Sequence, residues 1–265
     1  DVQGPSRRFS WMKVKNNANT EGYTSIAIPG TVAGLSTALE KWGTIDLDQA
    51  IAPAVKLARD GFPLPRTVAL SLSERHALLS RFSTTAEVYL NRGSPLSPGS
   101  HFVQSEYAQT LERLGRLGAS EFYGGETGAR IAEDVERNGG YLRLSDFEQY
   151  RPIVQEQALS ATYRGLGISA AKGPCAGPTV LEILNILQQF DIAAMGYGTV
   201  DSLHTIIEAV KLSAVDRFSF MGDPAVYGFP IDVLAQPEYA VNRAMNIDSS
   251  MATVFSAGDP WSFTE

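Results

Sequence analysis

Acyl or phosphoryl transfer needs a nucleophile, a base and donors for developing charge, and this chain holds few residues able to serve. It has three histidines, His76, His101 and His204, and one cysteine, Cys175. The histidines lie far apart, with no HxxxH or HExxH spacing to place two ligands on one helical face. His204 precedes Glu208 by one helical turn, a pairing worth only about 0.2–0.5 kcal/mol and structural in character. The only approach to a nucleophile elbow is Gly93-Ser94-Pro95, which lacks the second glycine of Gly-x-Ser-x-Gly. Cys175, within Gly173-Pro174-Cys175-Ala176-Gly177-Pro178, precedes a helix whose N-terminus would favour a thiolate. A small residue in a tight glycine-proline turn accounts for it more simply than a nucleophile does. The glycines lack the spacing that cradles nucleotide phosphates. Asp223 and Asp259 each precede proline and read as turn residues. The chain therefore offers no convincing catalytic constellation of its own, no metal site and no cofactor motif.

Composition narrows the class. Of 265 residues, 44% are apolar and 19% charged, which is globular rather than disordered. A net charge of −7 disfavours a phosphate backbone as partner, and the basic pair Arg7-Arg8 does not reverse it. One cysteine makes no internal disulfide. No apolar run is long enough to span a bilayer, and no signal-like segment opens the chain.

The elements that must position any site are mostly helical. Residues 1–27 read as an extended arm, polar and aperiodic. Within 28–150, Thr31 serves as N-cap for a helix carrying Val32, Leu35, Leu39 and Trp42. A second helix spans about Asp46 to Asp60, starting late or bending at Pro53. Further helical patterns cover Pro65 to Leu79, Ser105 to Gly118 and Thr127 to Arg137, with capping-box spacing at Ser145–Glu148. Residues 151–222 change character: Ile153–Thr162 and Leu166–Ala171 form a β-hairpin across Tyr163-Arg164-Gly165. Helices follow from Pro178 to Phe190 and Val200 to Met221, the latter turning Leu203, Ile206, Ile207, Val210, Ala214 and Phe218 inward. Residues 223–265 read as an irregular tail broken by Pro224, Pro230, Pro237 and Pro260. The class is mixed α/β, helix-rich, and a lone hairpin is marginal in water, so a sheet elsewhere is needed to complete it.

Five stretches together resemble the large subunit of gamma-glutamyltranspeptidases. They are Ile28-Pro29-Gly30-Thr31-Val32-Ala33-Gly34 with Trp42-Gly43-Thr44, and Ala52-Pro53-Ala54 with Leu57 through Phe62. Next come Glu121-Phe122-Tyr123-Gly124 with Asn138-Gly139-Gly140 and Asp146-Phe147. Tyr163-Arg164-Gly165 follows, with Gly177-Pro178-Thr179 and Glu182 through Leu187. The last is Glu208 through Leu212 with Asp216-Arg217 and Gly222-Asp223-Pro224. The resemblance implies a single N-terminal-nucleophile hydrolase domain, a four-layer αββα sandwich to which this chain supplies mostly helices. A small subunit cut from the same precursor would complete it as a heterodimer. It implies that the nucleophile is a threonine following Glu265, the carboxyl side of the self-cleavage point. A gamma-glutamyl group would pass from glutathione or a related amide to water or an amino acid, without cofactor. The family's Arg-Glu-Met-Ala-Pro type motif, whose arginine grips the substrate α-carboxylate, does not occur here, so no substrate-binding residue is assigned. A cephalosporin (glutaryl) acylase and a non-catalytic scaffold stay open as alternatives. By the same resemblance the protein is periplasmic or secreted, with a cytoplasmic location left open.

Overall fold

Helical spacing in the sequence becomes helix almost everywhere in a computed structural model that describes residues 15–223 and 228–264. The residues pack as two units, one within 12–153 and the other within 154–265. Arg7-Arg8, Pro224 and Glu265 lie outside the described residues.

In the first unit, residues expected in an extended arm instead coil into short 3-10 turns at Lys15–Asn17 and Tyr23–Ser25. Local hydroxyls favour this: Thr24 donates to the Ala18 carbonyl and Ser25 to that of Gly22. Helix α1 (Thr31–Trp42) has Gly30, not Thr31, at its N-cap, and no side chain of the cap closes it. Tyr123 does so from a distance. Its hydroxyl accepts from the Ala33 amide at 3.1 Å and donates to the Pro29 carbonyl at 2.5 Å, satisfying one orphan donor of the first turn. The buried residues of α1 are Ala33 and Ser36, while Leu35 and Trp42 are exposed.

Helix α2 (Leu47–Asp60) begins at Asp46, whose amide donates to Gln49 Oε1. It runs unbroken through Pro53 and packs lengthwise on a later helix. The pattern over 65–79 resolves into α3 (Arg66–Glu74) and α4 (His76–Leu79), followed by α5 (Ser83–Tyr89). Strand β1 (Phe62–Pro63) pairs with β4 (His101–Phe102), and β2 (Leu90–Asn91) with β3 (Ser94–Pro95), each antiparallel. Then come α6 (Ser105–Leu117), the helix against α2, and α7 (Ala119–Gly124), α8 (Glu126–Arg137) and α9 (Leu144–Gln149). Ser105 is the first residue of α6 rather than its cap. The capping contact of α9 lies two residues upstream of the expected one, from the Arg143 amide to Asp146 Oδ2 at 2.8 Å. Phe147, Tyr123, Val135, Leu142, Ala132 and Ala33 form the core here.

The second unit opens with a hairpin of β5 (Leu159–Tyr163) and β6 (Leu166–Ala170), in register from Leu159↔Ala170 to Tyr163↔Leu166. Its turn puts Arg164 at φ 50° and Gly165 at φ 82°, the left-handed pair a two-residue hairpin requires. The strands start later than expected, leaving 153–158 outside the ladder. Leu159, Ala161, Ile168 and Ala170 pack on Leu181 of α10 (Ala176–Leu187). Pro178 is tolerated in the first turn of α10, where its missing amide has no helical partner to lose. After α11 (Ile192–Met195) comes α12 (Val200–Phe220).

Two expectations are corrected here. The stripe of α12 expected inward is largely outward: Leu203, Ile207, Val210 and Phe218 are 50%, 55%, 43% and 47% exposed. The buried face is instead Ser202, Thr205, Glu208, Ala209, Leu212, Ser213 and Asp216, where Ala209 and Leu212 pack on Ile186, Leu187 and Phe255 while Glu208 and Asp216 meet polar partners. The tail is also not wholly irregular. It forms a 3-10 segment (Ile231–Ala235), α13 (Pro237–Ala244) and a second 3-10 turn (Pro260–Phe263). Pro237 and Pro260 start these elements, as proline does at first helical positions.

Tyr123→Phe should therefore destabilise the protein by about 1 kcal/mol, through loss of the α1 cap. Thr31→Ala should cost only a few tenths, and urea unfolding of the two variants ranks them.

Candidate functional site

The histidines do not meet. His76 Nε2 lies 2.7 Å from the Gly93 carbonyl, and His204 Nε2 lies 2.7 Å from the Asp248 carbonyl rather than on Glu208. Glu208 is taken by Lys211 at 2.6 Å and by the Thr253 amide at 2.9 Å, a charge-assisted pairing on the buried side of the helix. Asp259 accepts from the Ser262 hydroxyl at 2.6 Å, the turn role its position implied. Among the described residues no group of three or more His, Cys, Asp or Glu is placed to hold a metal ion.

Cys175 is the N-cap residue of α10 and is half-buried. Its sulfur lies 3.4 Å from the Ala171 carbonyl, and its own carbonyl accepts from Arg217 Nη1 at 2.7 Å. The same Arg217 nitrogen reaches Thr179 Oγ1 at 3.2 Å, so α12 staples the turn before α10 through its backbone. The thiol takes no part in that staple.

The densest polar constellation joins residues that the sequence marked only as motif members or passed over. Asp216 of α12 is fully buried. It accepts from Tyr239 Oη at 2.7 Å, from Arg243 Nη2 at 3.1 Å and from the Gly258 amide at 2.8 Å. Arg243 Nε also stands 2.9 Å from Asp216 Oδ2, making a buried ion pair. Glu182 of α10 is likewise buried, and no donor reaches either of its carboxyl oxygens. One guanidinium cannot neutralise two carboxylates in a dry site. Burial first, and the Asp216 charge second, raise the Glu182 pKa well above the carboxylate range, so Glu182 keeps its own proton. Burial and then Asp216 push Tyr239 upward as well, keeping it a donor. The available signal was a lone acid inside the apolar helix α10, with Tyr239 and Arg243 at i,i+4 spacing. Nothing in one dimension shows that these converge. Chemically the cluster can grip and orient; it presents no exposed nucleophile.

With this geometry in hand, comparison with known proteins places the chain. A model of the gamma-glutamyltranspeptidase family matches residues 6–264, and the chain belongs to that family. It is 35% identical over 226 residues to the glutathione hydrolase proenzyme of Escherichia coli K12, covering 84% of this chain and 39% of that protein. It is 32% identical to the Acylase ACY 1 proenzyme of Pseudomonas sp. strain V22, covering 92% and 44%. The chain thus spans about two fifths of the length of these relatives. Among solved structures, Helicobacter pylori gamma-glutamyltranspeptidase superposes with a TM-score of 0.86 at 30% identity, over 95% of this chain and 73% of that one. The cephalosporin acylase of Bacillus halodurans gives 0.84 at 26% identity, over 91% and 45%. The mixed, mostly helical fold is that of the gamma-glutamyltranspeptidase N-terminal-nucleophile hydrolases. No helix of the described residues is long and apolar enough to cross a membrane.

Two outcomes follow. Cys175→Ala should leave kcat nearly unchanged, since Arg217 holds the turn by its backbone carbonyl; steady-state kinetics checks this. For Glu182, the groups facing it are Asp216 on α12 and Tyr239 and Arg243 on α13. Because folding raises this carboxyl's pKa, its stabilising contribution is complete below the unfolded value of about 4.3. It is lost as pH rises toward the folded value, at no more than about 1.4 kcal/mol per pH unit. Glu182→Gln should flatten that slope in urea melts taken from acidic to neutral pH.

Proposed function

We propose that this chain is the large-subunit part of a self-processed gamma-glutamyltransferase/hydrolase whose nucleophile is the first residue of a small subunit from the same precursor. The observation that carries this is the outward apolar face of α12, in a chain that spans two fifths of relatives described as proenzymes. A row of Leu203, Ile207, Val210 and Phe218 left in water is a surface awaiting a partner.

In this reading Glu265 is the carboxyl side of the processing point, as the family resemblance implies. The threonine hydroxyl that follows attacks the Glu265 carbonyl, the C–N bond breaks, and the peptide becomes an ester with a free α-amine. Water then hydrolyses the ester, leaving a carboxylate on Glu265 and restoring the hydroxyl. The freed amine, with a reference pKa of about 7.7–8.0, serves as base for the same hydroxyl toward substrate. The acyl group of a gamma-glutamyl amide passes to that oxygen, the amine leaves, and water or an amino acid takes the acyl group. Backbone amides hold the intermediate's oxyanion. The protein is exported in this reading, as a heterodimer without cofactor.

The similarity to the Acylase ACY 1 proenzyme and to a cephalosporin acylase supports a second reading, glutaryl-type acyl transfer on the same nucleophile. Intact mass spectrometry and N-terminal sequencing of the purified protein should find a second chain beginning with threonine. A single uncut chain without turnover would make the protein a scaffold. On the processed protein, p-nitroaniline should be released faster from the gamma-glutamyl than from the glutaryl substrate. The reverse order selects the acylase.

A further inference from the structure

The segment leading toward Glu265 is held at three successive places. Thr253 donates its amide to Glu208 Oε2 at 2.9 Å and accepts Lys211 Nζ at 2.6 Å on its carbonyl. Lys211 also lies over the Phe255 ring at 5.2 Å. Next, Arg243 Nη2 donates to the Ser256 carbonyl at 2.9 Å, and the Gly258 amide donates to Asp216 Oδ1 at 2.8 Å. Last, Phe263 stands edge-on to Tyr239 with centroids 5.4 Å apart, while Trp261 stands edge-on to Phe220 and Phe229. Asp216 is common to the second and third holds, since Tyr239 Oη rests on its carboxylate. Gly258 comes so close that a Cβ there would run into the Tyr239 hydroxyl and Arg243 Cδ.

A buried ion pair of this kind contributes little net stability over well-packed apolar residues. What it supplies is direction: two backbone groups and one ring held at fixed places. Intramolecular acyl shift depends on such placement, because the attacking and attacked atoms must be held about 3–3.5 Å apart. We propose that Asp216 is a positioning residue for self-cleavage. By gripping the Gly258 amide and, through Tyr239, the Phe263 ring, it sets where the bond after Glu265 lies relative to its attacking hydroxyl. This rests on the reading that the precursor is cut after Glu265. Asn at 216 would keep the shape but turn a donor toward groups that are themselves donors.

The test follows conversion of the whole purified precursor into two chains, on denaturing gels and by mass spectrometry, well below each variant's melting temperature. The set is wild type, Asp216→Asn, Gly258→Ala and the double variant. Each single variant should stay folded by near-ultraviolet circular dichroism and cut about tenfold or more slowly. The double should be no slower than the slower single, because both break one contact. If Asp216→Asn does not fold, Gly258→Ala, which leaves every buried charge in place, carries the test. Folded variants that cut at the wild-type rate overturn the proposal, as do effects that add in the double or merely track lost melting temperature. A wild-type precursor that never cuts after Glu265 removes the self-processing reading itself, and this inference with it.

Discussion

A carboxylate shut away from water must be neutralised or surrounded by donors, and Asp216 is surrounded from three directions at once. Its partners come from α13 and from the segment beyond it, so two elements distant in sequence are tied to α12 at a single side chain. The same constraint explains why Glu182 keeps its proton: one guanidinium serves one anion, and a second ionised acid beside it would stand uncompensated in a dry interior. It also explains why Gly258 is a glycine, since no side chain fits between its backbone and the Tyr239 hydroxyl.

That arrangement gives α12 two faces with reversed roles. Its inward face is lined with serine, threonine and acid groups because a segment of backbone, rich in amides and carbonyls, lies against it. Ala209 and Leu212 share that face and pack on Ile186, Leu187 and Phe255, while Leu203, Ile207, Val210 and Phe218 lie exposed on the other side. In a free-standing domain that distribution would be unfavourable, since the apolar stripe of a helix ordinarily faces the core. In α12 the residues Leu203, Ile207, Val210 and Phe218 stand exposed instead.

Amphipathic periodicity and turn chemistry were legible as they stood. The lengths of α2, α6, α10 and α12 come within a few residues of the spacing that announces them, because helix ends follow local signals such as Asp46, Gly61 and Gly118. The hairpin turn at Arg164-Gly165 is equally local, as its backbone needs left-handed conformations that glycine accepts readily. The cap of α1 was not legible, because Tyr123 supplies it from ninety residues away. Nor were the ordered elements after Pro230, whose prolines read as breaks until they proved to begin helical turns.

By itself, then, the sequence determined the longer helices to within a few residues, the hairpin and, through its motifs, the family to which they belong. Those properties are set by interactions within a few residues or by patterns spread along the whole chain. Which face of α12 is buried, which acid keeps its proton and what holds the segment before Glu265 were decided only by tertiary structure. Each depends on the partners met by a side chain after folding, and periodicity records where a residue points on its helix but not what waits there.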